Sequence, residues 1–346
     1  MTTLRDLLNV DCPVIQAPMA GVQDSLLTIA VAKAGGLGSL PCAMLPGETI
    51  REEIARIRAE TDRPFNLNFF CHTQPPADPD RETAWRQSLQ PYYRELGLEV
   101  NEDAGGASRR PFDEQTAELV AELKPAVVSF HFGLPAPELL ATIQSKGVKV
   151  LASATTVAEA LWLEQRGADA IIAQGLEAGG HRGHFLSDDL SLHLGTFALL
   201  PQIKARVRIP VIAAGGIASA EGVRAATQLG AVAAQVGTAY LLCTEAKTSA
   251  IHRHALQSEQ ASHTKITNVF SGRPARGIVN RLIQAQGPIS SSVPEFPMAA
   301  AALAPLRSAA EKLGKGDFSP LWAGQNTIGC EEISAGEMTL RLAGVD

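Results

Sequence analysis

The sequence predicts an α/β protein folded as a (β/α)8 barrel, also called a TIM barrel. Eight short apolar runs alternate with longer segments whose apolar residues recur at helical spacing. Apolar runs of this length are typical of parallel strands buried on both faces, and parallel strands require crossover helices between them. Eight such units are the number that closes into a barrel. An open, doubly wound sheet shows the same alternation, and the count of eight strands favours the closed form.

The predicted strands and helices follow in order along the chain. The strands are rich in Val, Ile, Ala, Leu or Phe, and the helices between them carry polar residues on one side. We predict strands at residues 14–17, 37–40, 65–69, 127–130, 149–153, 170–173, 211–213 and 233–236, and helices at 48–60, 114–123, 157–166, 196–207 and 220–229.

Residues that begin and end helices support these boundaries. Thr155 or Thr156 precedes Glu159 at the spacing of a capping box, and a serine at position 219 stands before the last of these helices. Gly167 and Gly230 come where two helices should end, because glycine readily takes the left-handed conformation that terminates a helix.

Two segments do not fit a plain barrel. Residues 72–112 carry prolines, charges and a helix-like stretch at 81–96, which is more chain than a simple connection needs. We expect this excursion beside the mouth of the barrel. Residues 246–346 are helical and rich in Pro and Gly. We therefore predict a barrel over residues 1–245 and an extension over 246–346 that packs on the barrel or lids its pocket.

Composition limits the partners of the protein. Of 346 residues, 45% are hydrophobic and 19% charged, and the formal net charge is −6. This balance provides no basic surface for nucleic acid or an anionic membrane, and no segment is apolar for long enough to cross a bilayer. The five cysteines show no C-x-x-C spacing, so neither a disulfide framework nor a zinc site is indicated. We expect a cytoplasmic monomer or homodimer that acts on small molecules.

Glycine-rich loops follow the last two predicted strands. Gly215 and Gly216 follow the seventh strand and precede a helix, and Gly237 and Thr238 follow the eighth. Backbone N–H groups freed by glycine turns make an anion site where such barrels commonly hold a phosphate. The sequence therefore predicts that a phosphorylated ligand binds there.

Neutral polar residues follow other strands at the same end of the barrel. A flat ring lying across the mouth would need backbone groups and amide side chains at its edge. Asn66 and Asn68 share one face of the third strand, and we assign the ligand-facing position to Asn68 because it is nearer the carboxyl end. The candidates for contact with such a ring are Ala17, Pro18, Met19, Asn68 and Gln174.

One histidine stands out as the catalytic candidate. The sixth strand ends at Gln174 and leads through Gly179 and Gly180 to His181, at the end of the barrel that carries catalytic residues. With an ordinary pKa near 6.5, a histidine can accept an α-proton or, when protonated, stabilise an anion. His131, after the fourth strand, is expected to face the same pocket as a substrate contact.

The remaining histidines are weaker candidates. Positions 72 and 184 also follow strands, whereas 252, 254 and 263 are expected at the surface. His181 and His184 are separated by Arg182 and Gly183, which does not make a metal-binding face, and we predict no metal.

Ten short motifs of this chain resemble those of a known family, the nitronate monooxygenases, formerly called 2-nitropropane dioxygenases. The resemblance covers nearly the whole barrel, and the tail is similar to the class I branch of the family. The motifs that carry it are Gln-Ala-Pro-Met-Ala-Gly (16–21), Ala-Gly-Gly-Leu-Gly-Ser (34–39), Phe-Asn-Leu-Asn-Phe-Phe-Cys-His (65–72), Ser-Phe-His-Phe-Gly-Leu-Pro (129–135), Gln-Gly-Leu-Glu-Ala-Gly-Gly-His-Arg-Gly (174–183), Pro-Val-Ile-Ala-Ala-Gly-Gly-Ile (210–217), Gln-Val-Gly-Thr-Ala (235–239), Gly-Arg-Pro-Ala-Arg-Gly (272–277), Phe-Pro (296–297) and Trp-Ala-Gly-Gln (322–325).

The resemblance implies a barrel that binds FMN non-covalently. It implies oxidation of an alkyl nitronate, with propionate 3-nitronate as the class I substrate, by dioxygen to an aldehyde and nitrite or nitrate. His181 matches the family's active-site histidine, and Ala17 to Met19 would line the flavin ring. Glu295 departs from the more apolar tails of related chains. By motif, the flavin contacts are Asn68, Gln174, Gly179, Gly216, Gln235, Val236, Gly237 and Thr238.

Three other functions stay open at this point. A related flavin barrel reduces quinones or enoyl thioesters with NAD(P)H. A phosphate-binding aldolase or isomerase without flavin would preferably carry a Schiff-base lysine on a strand, and the predicted strands contain only Lys149, at a strand start and therefore on the wrong face. A ligand-binding module without catalysis is the third.

Overall fold

Eight parallel strands form a barrel in a computed structural model that describes residues 4–99 and 109–345. All eight predicted strands are confirmed, each within one residue of its predicted ends. The barrel strands are β1 (Val14–Gln16), β2 (Gly38–Pro41), β3 (Phe65–Phe70), β4 (Val127–His131), β5 (Lys149–Ala154), β6 (Ala170–Gln174), β8 (Val211–Ala214) and β9 (Ala233–Val236); β7 (Gly180–His181) lies outside the barrel.

The strands close on themselves. Their order around the sheet is β1-β9-β8-β6-β5-β4-β3-β2. Between the two end strands, Ile15 and Leu37 form a parallel bridge, and the Gln16 amide donates to the Leu37 carbonyl at 2.9 Å. The closed form is therefore the correct one of the two topologies that the alternation allowed, and all the carboxyl ends of the strands meet at one mouth.

Thirteen helices are present in the described ranges. The helix predicted to reach residue 207 ends at Lys204, where the chain turns toward Pro210 and β8. The helices are α1 (Leu4–Leu8), α2 (Ser25–Lys33), α3 (Gly47–Glu60), α4 (Pro79–Glu95), α5 (Glu114–Leu123), α6 (Pro137–Gln144), α7 (Val157–Gln165), α8 (Thr196–Lys204), α9 (Ala220–Gln228), α10 (Ala250–Leu256), α11 (Arg281–Gln286), α12 (Ala299–Lys312) and α13 (Ala335–Ala343).

The residues predicted to begin and end helices do so, and the structure decides which of two threonines caps α7. Thr156 is the N-cap of α7, and its hydroxyl accepts from the Glu159 amide at 3.2 Å. The neighbouring Thr155 instead donates to the Glu159 carboxylate at 2.8 Å. Gly167 and Gly230 both take positive φ where α7 and α9 end, which is the conformation that glycine supplies at low cost.

Apolar side chains fill the barrel and the layer between its strands and helices. Val127, Leu151 and Ile172 are buried inside the barrel with other residues near its amino end. A larger cluster packs the outer face of the strands against the helices, with Ile54 and Leu163 among its fully buried members. In the described ranges, no helix is long and apolar enough to cross a membrane.

The excursion and the extension pack against each other. Trp85 of α4 is buried and donates from Nε1 to the Ala299 carbonyl at 3.3 Å, and Tyr93 donates to the Ala302 carbonyl at 2.6 Å. The predicted helix at 81–96 is thus confirmed as α4. Residues 100–108 of the excursion lie outside the described residues.

A second, small sheet ties the extension to the barrel. It consists of β10 (Thr264–Thr267), β11 (Ala275–Ile278) and β7, all antiparallel. In its register Ala275 lies opposite His181 and Arg276 opposite Gly180. The extension therefore holds the segment that carries the candidate catalytic histidine.

Candidate functional site

A cavity of about 330 Å³ opens at the carboxyl ends of the barrel strands. Its walls come from the loops after β1, β3, β4, β6, β8 and β9 and from residues 319–326 of the extension. This volume is at the lower end of the range typical of small-molecule sites. The cavity is therefore placed and sized for a ligand at the catalytic end of the barrel.

Nearly all the residues proposed from sequence converge on this cavity. The exception is Val236, whose side chain is buried in an apolar cluster while its carbonyl accepts from the Ala17 amide at 2.8 Å. The predicted residues that line the cavity are Ala17, Pro18, Met19, Asn68, His131, Gln174, Gly179, Gly180, His181, Gly215, Gly216, Gln235, Gly237 and Thr238.

His181 is held by its backbone and by its ring. Its carbonyl accepts from Nε2 of Gln174 at 2.9 Å and lies 3.1 Å from Nε2 of His131. Its own Nε2 lies 2.8 Å from the hydroxyl of Ser271, which belongs to the extension. The rings of Phe296 and Trp322 lie 5.4 and 5.6 Å away, centroid to centroid. The imidazole is thus fixed in orientation within an aromatic surround.

Burial sets the charge of His181. Loss of water contact lowers the pKa of His181 well below its usual 6.5, and the positive charge of Arg109 lowers it further, followed by smaller contributions from His131, Arg273 and His184. The ring is therefore neutral at physiological pH, which is the state that can accept a proton.

His131 lines the cavity with both ring nitrogens engaged. A carbonyl only accepts, so Nε2 of His131 carries the proton that it donates to His181, and Nδ1 accepts from the Ser153 hydroxyl at 3.1 Å. Burial lowers the pKa of His131 to about 4. This arrangement positions the His181 backbone, a task that the sequence did not indicate for His131.

Two buried arginines hold the loop between β6 and β7. Arg182 is completely buried and donates to the carbonyls of Gly175 at 2.6 Å and Gln174 at 2.9 Å. Arg276 of β11 donates twice to the Leu176 carbonyl, at 2.8 and 3.0 Å. Sequence reasoning missed both roles, although each arginine lies inside a quoted motif, because nothing in the chain order shows which carbonyls they would meet.

The extension makes hydrogen bonds to the glycine turns after β8 and β9. Gly215 and Gly216 take φ values of +116° and +73°, which turn the backbone sharply at the end of β8. Asn326 donates to the Gly216 carbonyl at 2.9 Å, and the Gly324 amide donates to the Thr238 hydroxyl at 2.9 Å. The sequence did not point to Asn326 or Gly324 as neighbours of these turns.

The amide side chains in and near the cavity differ in which of their polar atoms are hydrogen-bonded. Asn66 is fully buried and donates to Ser39 and Ser129, and its Oδ1 has no partner among the described residues. Asn68 lines the cavity and donates from Nδ2 to Ser129. Gln235 also lines the cavity, and its buried Oε1 accepts no hydrogen bond. An unsatisfied buried acceptor is costly, so a ligand N–H at this wall would be stabilising.

One histidine expected at the surface is buried. The expectation for His252 is wrong: it is 4% exposed and lines the cavity, because α10 packs its inward face on the rest of the extension. Its neighbour His254 is exposed, as expected. Among residues 4–99 and 109–345, no group of three or more His, Cys, Asp or Glu side chains is arranged to hold a metal ion.

The fold and its cavity define a (β/α)8-barrel enzyme, and comparison with known proteins gives its family. The model of the nitronate monooxygenase family matches residues 1–343. A nitronate monooxygenase of Pseudomonas aeruginosa is 42% identical over 96% of this chain and 95% of its own length. One from Paraburkholderia phytofirmans is 41% identical over 98% of this chain and 93% of its own.

Solved structures agree with this match. A nitroalkane oxidase from Streptomyces ansochromogenes superposes with a TM-score of 0.89 at 37% identity, covering 99% of this chain and 96% of that one. FabK from Thermotoga maritima gives a TM-score of 0.72 at 25% identity over the same shares. The chain belongs to the nitronate monooxygenase family, and it is accordingly a flavin-dependent oxidoreductase with nitronate monooxygenase activity.

Proposed function

We propose that this enzyme uses FMN and dioxygen to oxidise propionate 3-nitronate, a small dianion, to the corresponding aldehyde. Release of nitrite consumes half an equivalent of dioxygen for each nitronate, and release of nitrate consumes one. The observation that carries the proposal is the neutral, oriented imidazole of His181 in a cavity that also presents glycine turns and neutral amides.

The choice of FMN rests on the wall of the cavity after β8 and β9. The left-handed turns at Gly215 and Gly216, with Gly237 and Thr238 beside them, suit one phosphate group. The clasp made by Asn326 and Gly324 keeps these turns in place. FMN carries a single phosphate, and when bound it supplies the ring that takes electrons from the substrate and passes them to dioxygen.

The remaining lining residues suit a flat ring. Ala17, Pro18 and Met19 form an apolar wall after β1, and Asn68 and Gln174 bring amides to other sides of the cavity. The unsatisfied Oε1 of Gln235 offers an acceptor to a ring N–H. These residues fit the polar edge and apolar faces of a flavin.

His181 is assigned the substrate end of the cavity. As a neutral imidazole it donates a hydrogen bond to the nitronate oxygens, or accepts the α-proton when the molecule arrives as a nitroalkane that has not yet ionised. Ser271 fixes the ring plane, and the paired contacts from Gln174 and His131 fix the backbone. The rings of Phe296 and Trp322 give His181 an apolar surround at this end of the cavity.

The experiment mixes the purified, flavin-loaded enzyme anaerobically with propionate 3-nitronate or with NADH in a stopped-flow spectrophotometer. Prompt bleaching of the flavin by the nitronate alone is the expected result. Bleaching by NADH alone would replace the proposal with the NAD(P)H-dependent reductase class. Mass analysis of the flavin released by acid tests the cofactor separately, and release of FAD would overturn the choice of FMN.

A further inference from the structure

Four arginines lie beside the candidate site, and three of them donate side-chain hydrogen bonds to loop carbonyls. Arg182 donates to the Gln174 and Gly175 carbonyls, and Arg276 donates to Leu176. Arg273 donates from Nη2 to the His184 carbonyl and stacks on the Phe132 ring at 4.2 Å, while its buried Nε has no partner among the described residues. These three guanidinium groups are used to hold loops around the cavity.

Arg109 differs from them. It lines the cavity, and its guanidinium lies 5.4 Å from the ring centroid of Phe296. Its buried Nε and Nη1 make no hydrogen bond to residues 4–99 or 109–345. Burial lowers the pKa of Arg109, and no carboxylate of the described residues offsets that effect. Within the described parts of the chain, it forms no ion pair.

The carboxylate next to Phe296 in the sequence is already paired with another arginine. Glu295 precedes Phe296, and its carboxylate lies 3.5 Å from Nη1 of Arg81 at the surface. Other cations on the cavity wall are also paired, since Lys247 meets Asp24 and Arg307 meets Glu311. Arg109 is therefore a cavity-lining cation without a compensating charge from the described residues.

A largely buried guanidinium with unsatisfied N–H groups is costly unless an anion completes it. A carboxylate is the best match, because guanidinium donates two parallel hydrogen bonds to its two oxygens. Arg109 and His181 also share a neighbour, because the guanidinium carbon of Arg109 and the ring centroid of His181 each lie 5.4 Å from the ring centroid of Phe296. One short ligand can therefore meet both side chains.

We propose that Arg109 binds a carboxylate at the far end of the substrate while the nitronate group lies at His181. This makes the enzyme selective for nitronates that carry a second negative charge. The inference rests on the proposed function for the identity of the reacting group, and it assigns substrate selectivity to a residue that no motif singled out.

The test compares two substrates of equal length. Propionate 3-nitronate ends in a carboxylate, and propyl-1-nitronate has a methyl group at the same position. In Arg109→Gln we expect kcat/KM for propionate 3-nitronate to fall about 10- to 100-fold, the loss typical of a charged hydrogen-bonded contact, and kcat/KM for propyl-1-nitronate to change by less than about threefold. Arg109→Lys keeps the charge but loses the paired hydrogen bonds, so its kcat/KM for propionate 3-nitronate should lie between those of the unaltered enzyme and Arg109→Gln.

The matched control is Arg110→Gln, since Arg110 is the exposed neighbour of Arg109. It should leave both substrates unaffected. Equal losses on both substrates in Arg109→Gln, or no loss on either, would overturn the inference. Retention of bound flavin and of the unfolding midpoint shows that each variant is folded.

A binding measurement separates this inference from the proposed function. Succinate has the length of propionate 3-nitronate with two carboxylates, and butyrate lacks one of them. Titration of the flavin absorbance should show tighter binding of succinate, and this preference should vanish in Arg109→Gln. If the enzyme oxidised no nitronate but kept that preference, the proposed substrate would be wrong and the role of Arg109 would stand. Absence of the preference in the unaltered enzyme would refute the role.

Discussion

The side chain of Gln174 spans the two ends of the turn that carries His181. Its Nε2 donates to the His181 carbonyl at 2.9 Å, and its Oε1 accepts from the Gly183 amide at 2.8 Å. A residue at the end of a barrel strand thus sets the position of a histidine seven residues later. The amide expected at a cofactor edge also has a second task, the shaping of the catalytic turn.

Gln174→Ala should therefore make the turn that carries His181 more mobile and also lower the stability of the folded protein. It leaves a buried N–H without its partner, at a cost of about 1–3 kcal/mol in the free energy of unfolding. We expect a lower urea midpoint and a lower kcat. The control is Gln202→Ala, because Gln202 is exposed on α8. A variant with unchanged midpoint and unchanged kcat would show that the turn is held by other contacts.

His181→Asn tests the histidine at the chemical step. Asparagine keeps a hydrogen-bonding side chain but cannot accept a proton at physiological pH. We expect the rate of anaerobic flavin reduction by 3-nitropropionate, which must first lose its α-proton, to fall about 10²- to 10⁴-fold, the usual contribution of a positioned acid or base, while flavin stays bound. Rates within a factor of two of the unaltered enzyme would remove His181 from the mechanism.

The pH dependence of kcat/KM should follow the burial of His181. Burial and the charges of Arg109, His131, Arg273 and His184 lower its pKa, so the neutral form persists below pH 6.5 and is lost only as the pH falls further. The acid limb of the profile should lie below pH 6.5. It is measured with nitronate added from an alkaline stock immediately before mixing. A limb centred above pH 7 would contradict the neutral-imidazole assignment.

Two adjacent glycines should respond differently to alanine. A Cβ at Gly179 would lie 2.5 Å from the Gly324 backbone nitrogen, so the clasp from the extension would have to move. A Cβ at Gly180 meets nothing within 4 Å and costs only the strain of φ +70°, about 1–2 kcal/mol. We expect Gly179→Ala to weaken flavin binding, measured by fluorescence titration, well beyond Gly180→Ala. Equal affinities would place the clasp outside the flavin site.

Buried His252 should make the protein acid-labile. Burial lowers its pKa to about 4, against about 6.5 when unfolded. The unfolded chain then binds the proton first, so the stabilising contribution is present above pH 6.5 and is lost as the pH falls through 4. His252→Gln should reduce the difference in urea midpoint between pH 7.5 and pH 5. His254→Gln, at an exposed position, should not; an identical pH response in both variants would refute this.

Much of the site could be predicted because barrel geometry brings strand ends together. Gln174 and Gln235 lie at the ends of two strands and Gly215 directly follows a third, so the sequence alone placed all three at the mouth where the cavity lies. Arg109, Asn326 and Ser271 could not be found in that way. Arg109 and Asn326 line the cavity from the excursion and the extension, and Ser271 of the extension contacts the His181 ring; the path of both segments over the barrel is set by long-range packing.

The sequence by itself determined the periodic features of this protein: eight strands, the helices between them, and the residues that follow each strand. These depend on local propensity and on hydrophobic spacing, which neighbouring residues carry. Only the tertiary structure decided that the extension pairs β11 with β7, that Arg182 and Arg276 hold the turn before His181, and that His252 is buried. Those contacts join residues far apart in the chain, and their free energy comes from packing and hydrogen bonds that no local pattern records.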